Sequence, residues 1–239
     1  MCSSDLLDFL SYLARHPLTA QRLAQRLVTK FVTDAPSPDL VDRLARVYLD
    51  EGTQVVPVLR ALVDSPEFAA SIGAKVRDPA EDVIASYRVL QVRLQPPRQL
   101  KSAANAIVWQ SRSIGLMPHA WPRPDGPPLD NRSWCNPARM LASYRIHNVL
   151  SGGYYPTADV RYRDRGAWMP PLPATFAQVV DHVSRQVLCR PATPALVQAC
   201  GQLVGARPRD RITGTHRVVR YGIPRLLLTV LDSPDHFLR

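Results

Sequence analysis

The sequence predicts an all-α fold: an irregular multi-helix domain with a duplicated helical hairpin and two long ordered loops. Apolar residues recur every three or four positions through most of the chain, a spacing that places them on one face of a helix. No stretch shows the sustained alternation of a half-buried strand. A capping residue directly before a proline is the typical start of a helix, and such pairs stand at Ser37-Pro38, Ser65-Pro66, Asp78-Pro79, Asn136-Pro137, Thr193-Pro194 and Ser233-Pro234.

The first three helices follow from apolar stripes and helix-start signals. Helix one begins at Ser4 or Asp5, and its stripe is Leu6, Phe9, Leu10 and Leu13. Helix two begins at Pro17 with His16 as its cap, runs to about residue 32, and is predicted to turn inward Leu23, Leu27, Val28 and Phe31. The third helix spans Pro38 to Asp50 and ends before Gly52.

A phrase at residues 58–68 returns at residues 226–237. Each copy is an apolar helical run followed by Asp-Ser-Pro, an acidic residue and an aromatic residue. In each copy the serine can cap a new helix while the proline fills its first position, so one helix stops and another starts at once. The sequence therefore predicts a duplicated helical hairpin, carried by Ser65, Pro66, Phe68, Ser233, Pro234 and Phe237. The second copy is preceded by extra residues, placed at Arg207 to Arg217.

The remaining helices frame two irregular stretches, residues 116–136 and 154–173. A helix opened by Asp78-Pro79 runs on to Pro96-Pro97, and another spans about Arg98 to Ser113. The helix from Pro137 to about Leu150 is predicted to bury Met140, Leu141 and Tyr144, and a valine-rich helix follows with Phe176, Val179, Val180, Val183 and Val187 inward. We expect three segments, 1–115, 116–136 and 137–239, within one continuous domain.

Composition limits the class of protein. The chain has 239 residues, 46% of them hydrophobic, which is enough for a sizeable core. Its net charge of +10 comes almost wholly from arginine, since Lys30, Lys75 and Lys101 are the only lysines. Arginine excess can serve nucleic-acid binding, but these arginines are spread along the chain and not clustered. The sequence shows neither a signal-peptide pattern nor an apolar run long enough for a membrane span, so it is predicted to be soluble as it stands.

Motifs for metal binding or catalysis are missing from the sequence. The cysteines Cys2, Cys135, Cys189 and Cys200 form no CxxC pair, and free thiols are favoured over a Cys189–Cys200 disulfide. The six histidines show no HxH or HExxH spacing, so no metal or cofactor is predicted. Without a GxSxG, Walker or GxGxxG motif, catalytic residues stay unknown.

The loop at 116–136 is the best candidate for a binding site. Trp121 and Trp134 could form a stacking platform for a sugar or a peptide, with Asp125, Asn131 and Arg132 as polar partners. The alternative is that both tryptophans plug the helical core. A further set of carboxylates, Asp130, Asp159 and Asp164, could serve a metal or hydrolytic site or could simply cap turns.

Several motifs together resemble the DUF1800 family of bacterial proteins of unknown function. They are residues 14–24 (ARHPLTAQRLA), the Ser-Pro-Glu-Phe step, residues 75–79 (KVRDP) and the Trp121…Trp134…Asn136-Pro137 loop. The resemblance covers almost the whole chain and corresponds to the C-terminal half of the family. It implies an N-terminal half of similar length, with an Asn-Glu-Asn-type helix, that has no counterpart here. It also implies that many members are exported and are encoded beside a sulfatase-like family, and it supplies no proven activity.

These observations favour a non-catalytic interaction or scaffolding portion of a larger protein, and the family resemblance implies that many such proteins are exported. Its expected partner is the missing N-terminal half, or a protein encoded nearby, and the short lead before the first helix leads us to expect sequence upstream. An exposed apolar face should mark where that half docks. The alternatives are a fragment of an envelope-associated hydrolase or carbohydrate-active enzyme, and an arginine-mediated nucleic-acid binder. Carboxylates converging on both tryptophans would favour the enzyme, and arginines gathered on one face would favour the nucleic-acid binder.

Overall fold

The computed structural model describes the backbone of residues 3–239 and side chains from Asp5 onward, so Cys2 and the Ser4 side chain lie outside the described residues. Helices dominate this part of the chain, which confirms the all-α class. The α-helices are α1 (Ser3–Arg15), α2 (Pro17–Phe31), α3 (Pro38–Asp50), α4 (Val55–Val63), α5 (Pro66–Ala69), α6 (Pro79–Val89), α7 (Ala103–Ser113), α8 (Asn131–Trp134), α9 (Pro137–Gly152), α10 (Phe176–Leu188), α11 (Pro194–Val204), α12 (Ile223–Leu231) and α13 (Pro234–Phe237). In the described residues, no helix has both the length and the apolar character that crossing a membrane requires.

The chain forms two compact units. The first contains Met1–Val76, Pro128–Ser133 and Arg239, and the second contains Arg77–Pro127 and Trp134–Leu238. The three-segment division drawn from the sequence, with limits at residues 115 and 136, stays a prediction. Each unit has its own apolar core.

The core of the first unit lies between α2, α3 and α4. Helix α2 buries Ala20, Ala24 and Val28, which recur every four residues on one face. The predicted inward face was partly wrong: Leu23 and Leu27 are half-buried and pack against this core as predicted, but Phe31 is exposed and two alanines fill the fully buried positions. Ala20 and Ala24 were not part of the prediction, because their small side chains do not mark an apolar stripe as leucine does. Facing them, the other helices bury Leu40, Leu44, Tyr48, Val58 and Leu62.

The core of the second unit is built around α10 and α12. Helix α10 buries the five predicted side chains, Phe176, Val179, Val180, Val183 and Val187. Helix α12 buries Ile223, Leu226, Leu227, Val230 and Leu231 beside them. The polar cluster described below includes residues that directly follow α12.

Four strands of two residues each supplement the helices. They are β1 (Arg93–Leu94), β2 (Val160–Arg161), β3 (Ala174–Thr175) and β4 (Arg211–Ile212). β1 pairs antiparallel with β2, and β3 with β4. A two-residue strand cannot display a period of two, so the sequence pattern gave no sign of these ribbons. A 3-10 turn at Arg165–Trp168 and a π-helical turn at Val218–Gly222 complete the regular structure.

Cap-and-proline pairs begin helices at all six predicted sites. In five of them the capping side chain accepts a backbone N–H of the first turn, and Asp78 also forms a reciprocal capping box with Glu81. His16 likewise accepts the Leu18 N–H through Nδ1 at 3.2 Å. Two predicted limits were wrong: α6 ends at Val89 rather than near Pro96, and α7 begins after Ser102, which caps it.

The two copies of the repeated phrase have similar local structures, α4–α5 and α12–α13. The Ser65 hydroxyl donates to the Leu62 carbonyl at 2.7 Å, and the Ser233 hydroxyl donates to the Val230 carbonyl at the same distance. The copies differ in their aromatic residue. Phe68 is half-buried at the edge of the first core, whereas Phe237 is buried within the second unit.

Candidate functional site

Seven polar side chains from three parts of the second unit form one network around a buried carboxylate, which is one of the seven. Helix α6 supplies the carboxylate, Asp82, together with Ser86. Helix α9 supplies three residues spaced four apart and hence on one helical face, and the α12–α13 turn supplies the rest. We call this group the Asp82 cluster; it consists of Asp82, Ser86, Arg139, Ser143, His147, Asp232 and His236.

Asp82 uses its two oxygens differently. Oδ2 accepts the Ser143 hydroxyl at 2.7 Å and lies 3.4 Å from the Arg139 guanidinium. Oδ1 faces two imidazoles, with His147 Nε2 at 3.2 Å and His236 Nε2 at 3.5 Å. Burial would raise the pKa of the Asp82 carboxyl, but the hydrogen bonds from the two histidines outweigh burial and hold that pKa far below its ordinary value. Asp82 is therefore a buried acceptor whose ionised form the cluster favours.

His147 lies between two carboxylates. Its Nε2 faces Asp82, and its Nδ1 is 2.8 Å from Asp232 Oδ1. Burial opposes a charged ring, yet the bonds to Asp232 and Asp82 prevail and raise the pKa of the His147 imidazole. Asp232 is the member nearest to solvent, because 27% of its side chain is exposed.

His236 has a different environment. Its Nε2 is 3.1 Å from Ser86 Oγ, and the Ser86 hydroxyl donates to the Asp82 main-chain carbonyl at 2.9 Å. Because the serine proton is used in that bond, the His236 Nε2–H is the donor between the His236 and Ser86 side chains. Burial lowers the pKa of His236, and the charge of the neighbouring His147 adds to that effect. His236 is accordingly the neutral ring of the pair.

Aromatic contacts close the cluster on one side. The Phe237 ring packs 5.5 Å from His147, centroid to centroid, and the Arg139 guanidinium lies 5.1 Å from the Phe237 centroid. The two imidazoles meet edge to face at 5.3 Å. Buried donors, acceptors and rings thus form a continuous network between α6, α9 and the chain's last helix.

The network does not have the order of a nucleophilic triad. Ser86 and Asp82 approach the same nitrogen of His236, whereas a triad needs them on opposite nitrogens. Ser86 is also fully buried, so a substrate could not reach its hydroxyl. The arrangement suits charge pairing or the binding of a cation.

The predicted aromatic site stays a prediction, and its members fall in both compact units. In the second unit, Trp121 and Trp134 meet edge to face at 6.5 Å rather than forming a flat platform. Trp134 is buried and borders a cavity of about 320 Å³ whose lining contains no carboxylate among the described residues. Asp125 is exposed beside Arg123, and the buried Trp121 Nε1 donates to none of the described residues.

The remaining predicted ligand residues, Asn131 and Arg132, belong to the first unit. Asn131 has a structural role there: its side chain accepts the Val76 N–H at 2.9 Å and donates to the Ala74 carbonyl at 2.8 Å. Arg132 is exposed.

Asp130 and Asp164 act as local caps, whereas Asp159 joins two segments 61 residues apart. Asp130 accepts the Ser133 N–H at 2.9 Å, Asp159 accepts the Arg98 N–H at 2.9 Å, and Asp164 accepts the Gly166 N–H at 2.7 Å. Hydrogen bonds from Ser133 hold the pKa of Asp130 below its usual value. The bonds of Asp130 and Asp164 are those of turn caps, and a metal or hydrolytic role for these acids stays a prediction.

A second feature of functional interest is the outer face of α1. Leu6, Phe9, Leu10 and Leu13, the stripe predicted from the sequence, are between 40% and 57% exposed. We call these four side chains the α1 face. An amphipathic helix normally turns such a stripe to a core, so this helix presents to solvent the side that would be buried.

A third feature is an arginine-lined groove beside the β1–β2 ribbon. It has a volume of about 430 Å³ and is bordered by Arg93, Arg161 and Arg163 together with Gln91, Tyr162 and Asp164. Arg93 and Arg161 stand directly opposite each other in the ladder. Like charges in that position repel, and an anion in the groove would offset the repulsion.

Sequence reasoning missed the Asp82 cluster, although two signals were present. The run Arg139, Ser143, His147 places polar residues on one face of α9, and that face is the buried one. The prediction that Leu141 points inward was wrong, because its side chain is exposed. The second signal is His236, which stands where the first copy of the repeated phrase has Phe68, three residues after the serine.

The fold and the cluster describe a mainly helical domain with a buried histidine–carboxylate centre. The chain belongs to the DUF1800 family, described as a protein of unknown function, whose profile matches residues 2–238. The comparison with curated proteins gives no match, and the comparison with solved structures gives none either. The family resemblance drawn from the sequence is therefore confirmed.

Proposed function

We propose that this DUF1800 chain is a non-catalytic interaction module whose α1 face binds the N-terminal half implied for members of the family. The single observation that carries the proposal is the exposure of the α1 face. Four large apolar side chains on one stripe would cost free energy in water, at about 25 cal/mol for each Å² left exposed. A partner that covers the stripe removes that cost.

The α1 face selects the chemistry of its partner. Its side chains are aliphatic apart from Phe9, and the other side of the helix carries Asp8 and Ser11. A stripe with this spacing is complementary to a second amphipathic helix with apolar residues at the same intervals. An N-terminal half built of helices would supply such a surface.

The test is co-expression of this chain with the N-terminal half of a longer DUF1800 protein. Size-exclusion chromatography with light scattering should show a one-to-one complex. Leu10→Asp should abolish it, because a carboxylate would be buried without a partner. Ser11→Asp is the matched control: it places the same residue one position along the same helix, outside the stripe, and should leave the complex intact.

Two results would overturn the proposal. One is the absence of a complex with the unchanged chain. The other is self-association of this chain that rises with concentration and is lost in Leu10→Asp, because the α1 face would then bind a second copy and not the family's other half.

The arginine-lined groove favours a second candidate function, the binding of nucleic acid. Anisotropy of a labelled DNA duplex, measured over a range of salt concentrations, would test it. Replacing both Arg93 and Arg161 with Gln should reduce the slope of log affinity against log salt by about two, one for each lost phosphate contact. The control, Arg207→Gln with Arg209→Gln, removes the same charge from an exposed loop. An equal loss of slope in both double variants would count against a defined site.

A further inference from the structure

We propose that Asp82, His147 and His236 form a binding site for a divalent transition-metal ion of the zinc class. All three are about 1% exposed, and one ligand atom from each lies within 4.8 Å of the other two. The histidine–aspartate ligand set suits zinc, which binds imidazole nitrogen and carboxylate oxygen. The site is independent of the α1 face, so either proposal can fail alone.

Two of the three separations between the ligand atoms are those of a tetrahedral site. Zinc bonds to nitrogen and oxygen are about 2.0–2.2 Å long, so two ligands on one tetrahedral ion stand roughly 3.3–3.5 Å apart. The two distances from Asp82 Oδ1 to the histidine Nε2 atoms are 3.2 and 3.5 Å. Both imidazoles thus approach one carboxylate oxygen at the separation that a shared ion requires, and the ion would take the place of the protons that the two Nε2 atoms hold without metal.

Neighbouring residues orient these ligands through hydrogen bonds, as the residues around the ligands of a metal ion commonly do. The Nδ1 of His147 bonds Asp232, a carboxylate–histidine pair that turns Nε2 toward the ion. Asp82 Oδ2 is held by Ser143 and lies beside Arg139, which leaves Oδ1 for the metal. The hydroxyl of Ser86, 3.1 Å from His236 Nε2, offers an oxygen for a fourth position that water could equally fill.

Each ligand comes from a separate part of the second unit. Asp82 lies on α6, His147 on α9 and His236 on α13. An ion bound by all three would link α13 to both α6 and α9. This arrangement is that of a structural site, in which binding free energy adds to folding stability.

The experiment is a titration of the chelator-treated full chain with Zn²⁺ in competition with a chromophoric chelator, followed by a titration with Co²⁺. We expect one ion per chain and the visible absorption of tetrahedral Co²⁺, without the thiolate charge-transfer band that cysteine ligands would add. The free thiols Cys135 and Cys189 are exposed, and that band would reveal them.

Variants separate the proposed ligands from the other histidines. His236→Gln should weaken Zn²⁺ binding at least 100-fold, and Asp232→Asn should weaken it 10- to 100-fold through loss of the second partner. His182→Gln is the matched control, because His182 lies on α10 outside the cluster, and it should change nothing.

The readouts also cover a variant that fails to fold. Circular dichroism of each variant is recorded first, and the Co²⁺ spectrum of the unchanged chain tests the site without any variant. No Zn²⁺ binding at micromolar concentration, a thiolate band, or equal binding by His236→Gln and the unchanged chain would each overturn the proposal.

Discussion

Lys75 is the largest fully buried side chain of the molecule's described part, and its surroundings give a sharp stability prediction. Its ammonium group bonds Asp34 Oδ1 and donates to the Leu129 carbonyl at 3.0 Å. Asp34 is 36% exposed and also accepts the Asn131 N–H at 2.8 Å. The pair is therefore asymmetric, with one charge in the core and the other at its edge.

This asymmetry sets the expected magnitudes. Asp34→Ala leaves a buried ammonium without its counter-charge and should cost about 3–5 kcal/mol. Lys75→Met removes the buried charge and keeps an apolar stem of similar size, and the lost bond to Leu129 should cost about 1–2 kcal/mol. The double variant should be close to Lys75→Met alone, so the two costs are far from additive.

Urea unfolding followed by far-ultraviolet circular dichroism is the suitable assay. Tryptophan fluorescence would not report on the first unit, because Trp109, Trp121, Trp134 and Trp168 all belong to the second. Urea is preferred to guanidinium, which would screen the ion pair. Equal costs for the two single variants, or additive costs in the double variant, would refute this reasoning.

Three more outcomes follow from burial and backbone geometry. Phe237→Ala should lower the free energy of unfolding by about 3–5 kcal/mol, because the Phe237 ring is buried. Phe68→Ala should lower it by clearly less, because the Phe68 ring is only half-buried. Equal losses of the two variants in urea unfolding would contradict this. Burial raises the pKa of Cys200 to about 12, so its proton is kept on folding. The free energy of unfolding should then fall as the pH rises above about 8.5, by up to about 1.4 kcal/mol per pH unit. Cys200→Ala should remove that slope between pH 8.5 and 10. Cys189→Ala, which changes an exposed thiol, should leave it in place. Gly201→Ala should lower the melting temperature, since its new Cβ would stand 2.5 Å from a backbone carbonyl oxygen; an unchanged melting temperature would contradict the packing described.

Features of the fold that depend on residues close together in the chain were predicted from the sequence. The third helix was predicted at its observed limits, Pro38–Asp50, because a serine cap, a proline and the turn at Gly52 are all local. The α1 stripe was predicted for the same reason. The inward face of α2 was not, because burial of Ala20 in preference to Leu23 depends on how closely α3 approaches, which periodicity does not contain.

The buried centre was beyond the reach of sequence patterns for a different reason. His147 and Asp82 are 65 residues apart, and His236 lies 150 residues from Ser86. No short motif links such positions, and the absence of HxH or HExxH spacing says nothing about ligands supplied by three helices. Two tryptophans in a long loop indicate a binding site, whereas a single histidine in the place of a phenylalanine indicates none.

The discontinuous first unit has a consequence for the order in which the protein is made. Lys75 leaves the ribosome 54 residues before Leu129, which supplies one of its acceptors. At about 5–20 residues per second, this interval lasts roughly 3–11 seconds. During it the nascent chain holds an ammonium whose final pocket is incomplete, and Arg239, which is synthesised later still, then pairs its backbone with Gly73 and Lys75. The helices of the first unit are thus synthesised well before the segments that complete it, and the unit is complete only after Arg239 has been added.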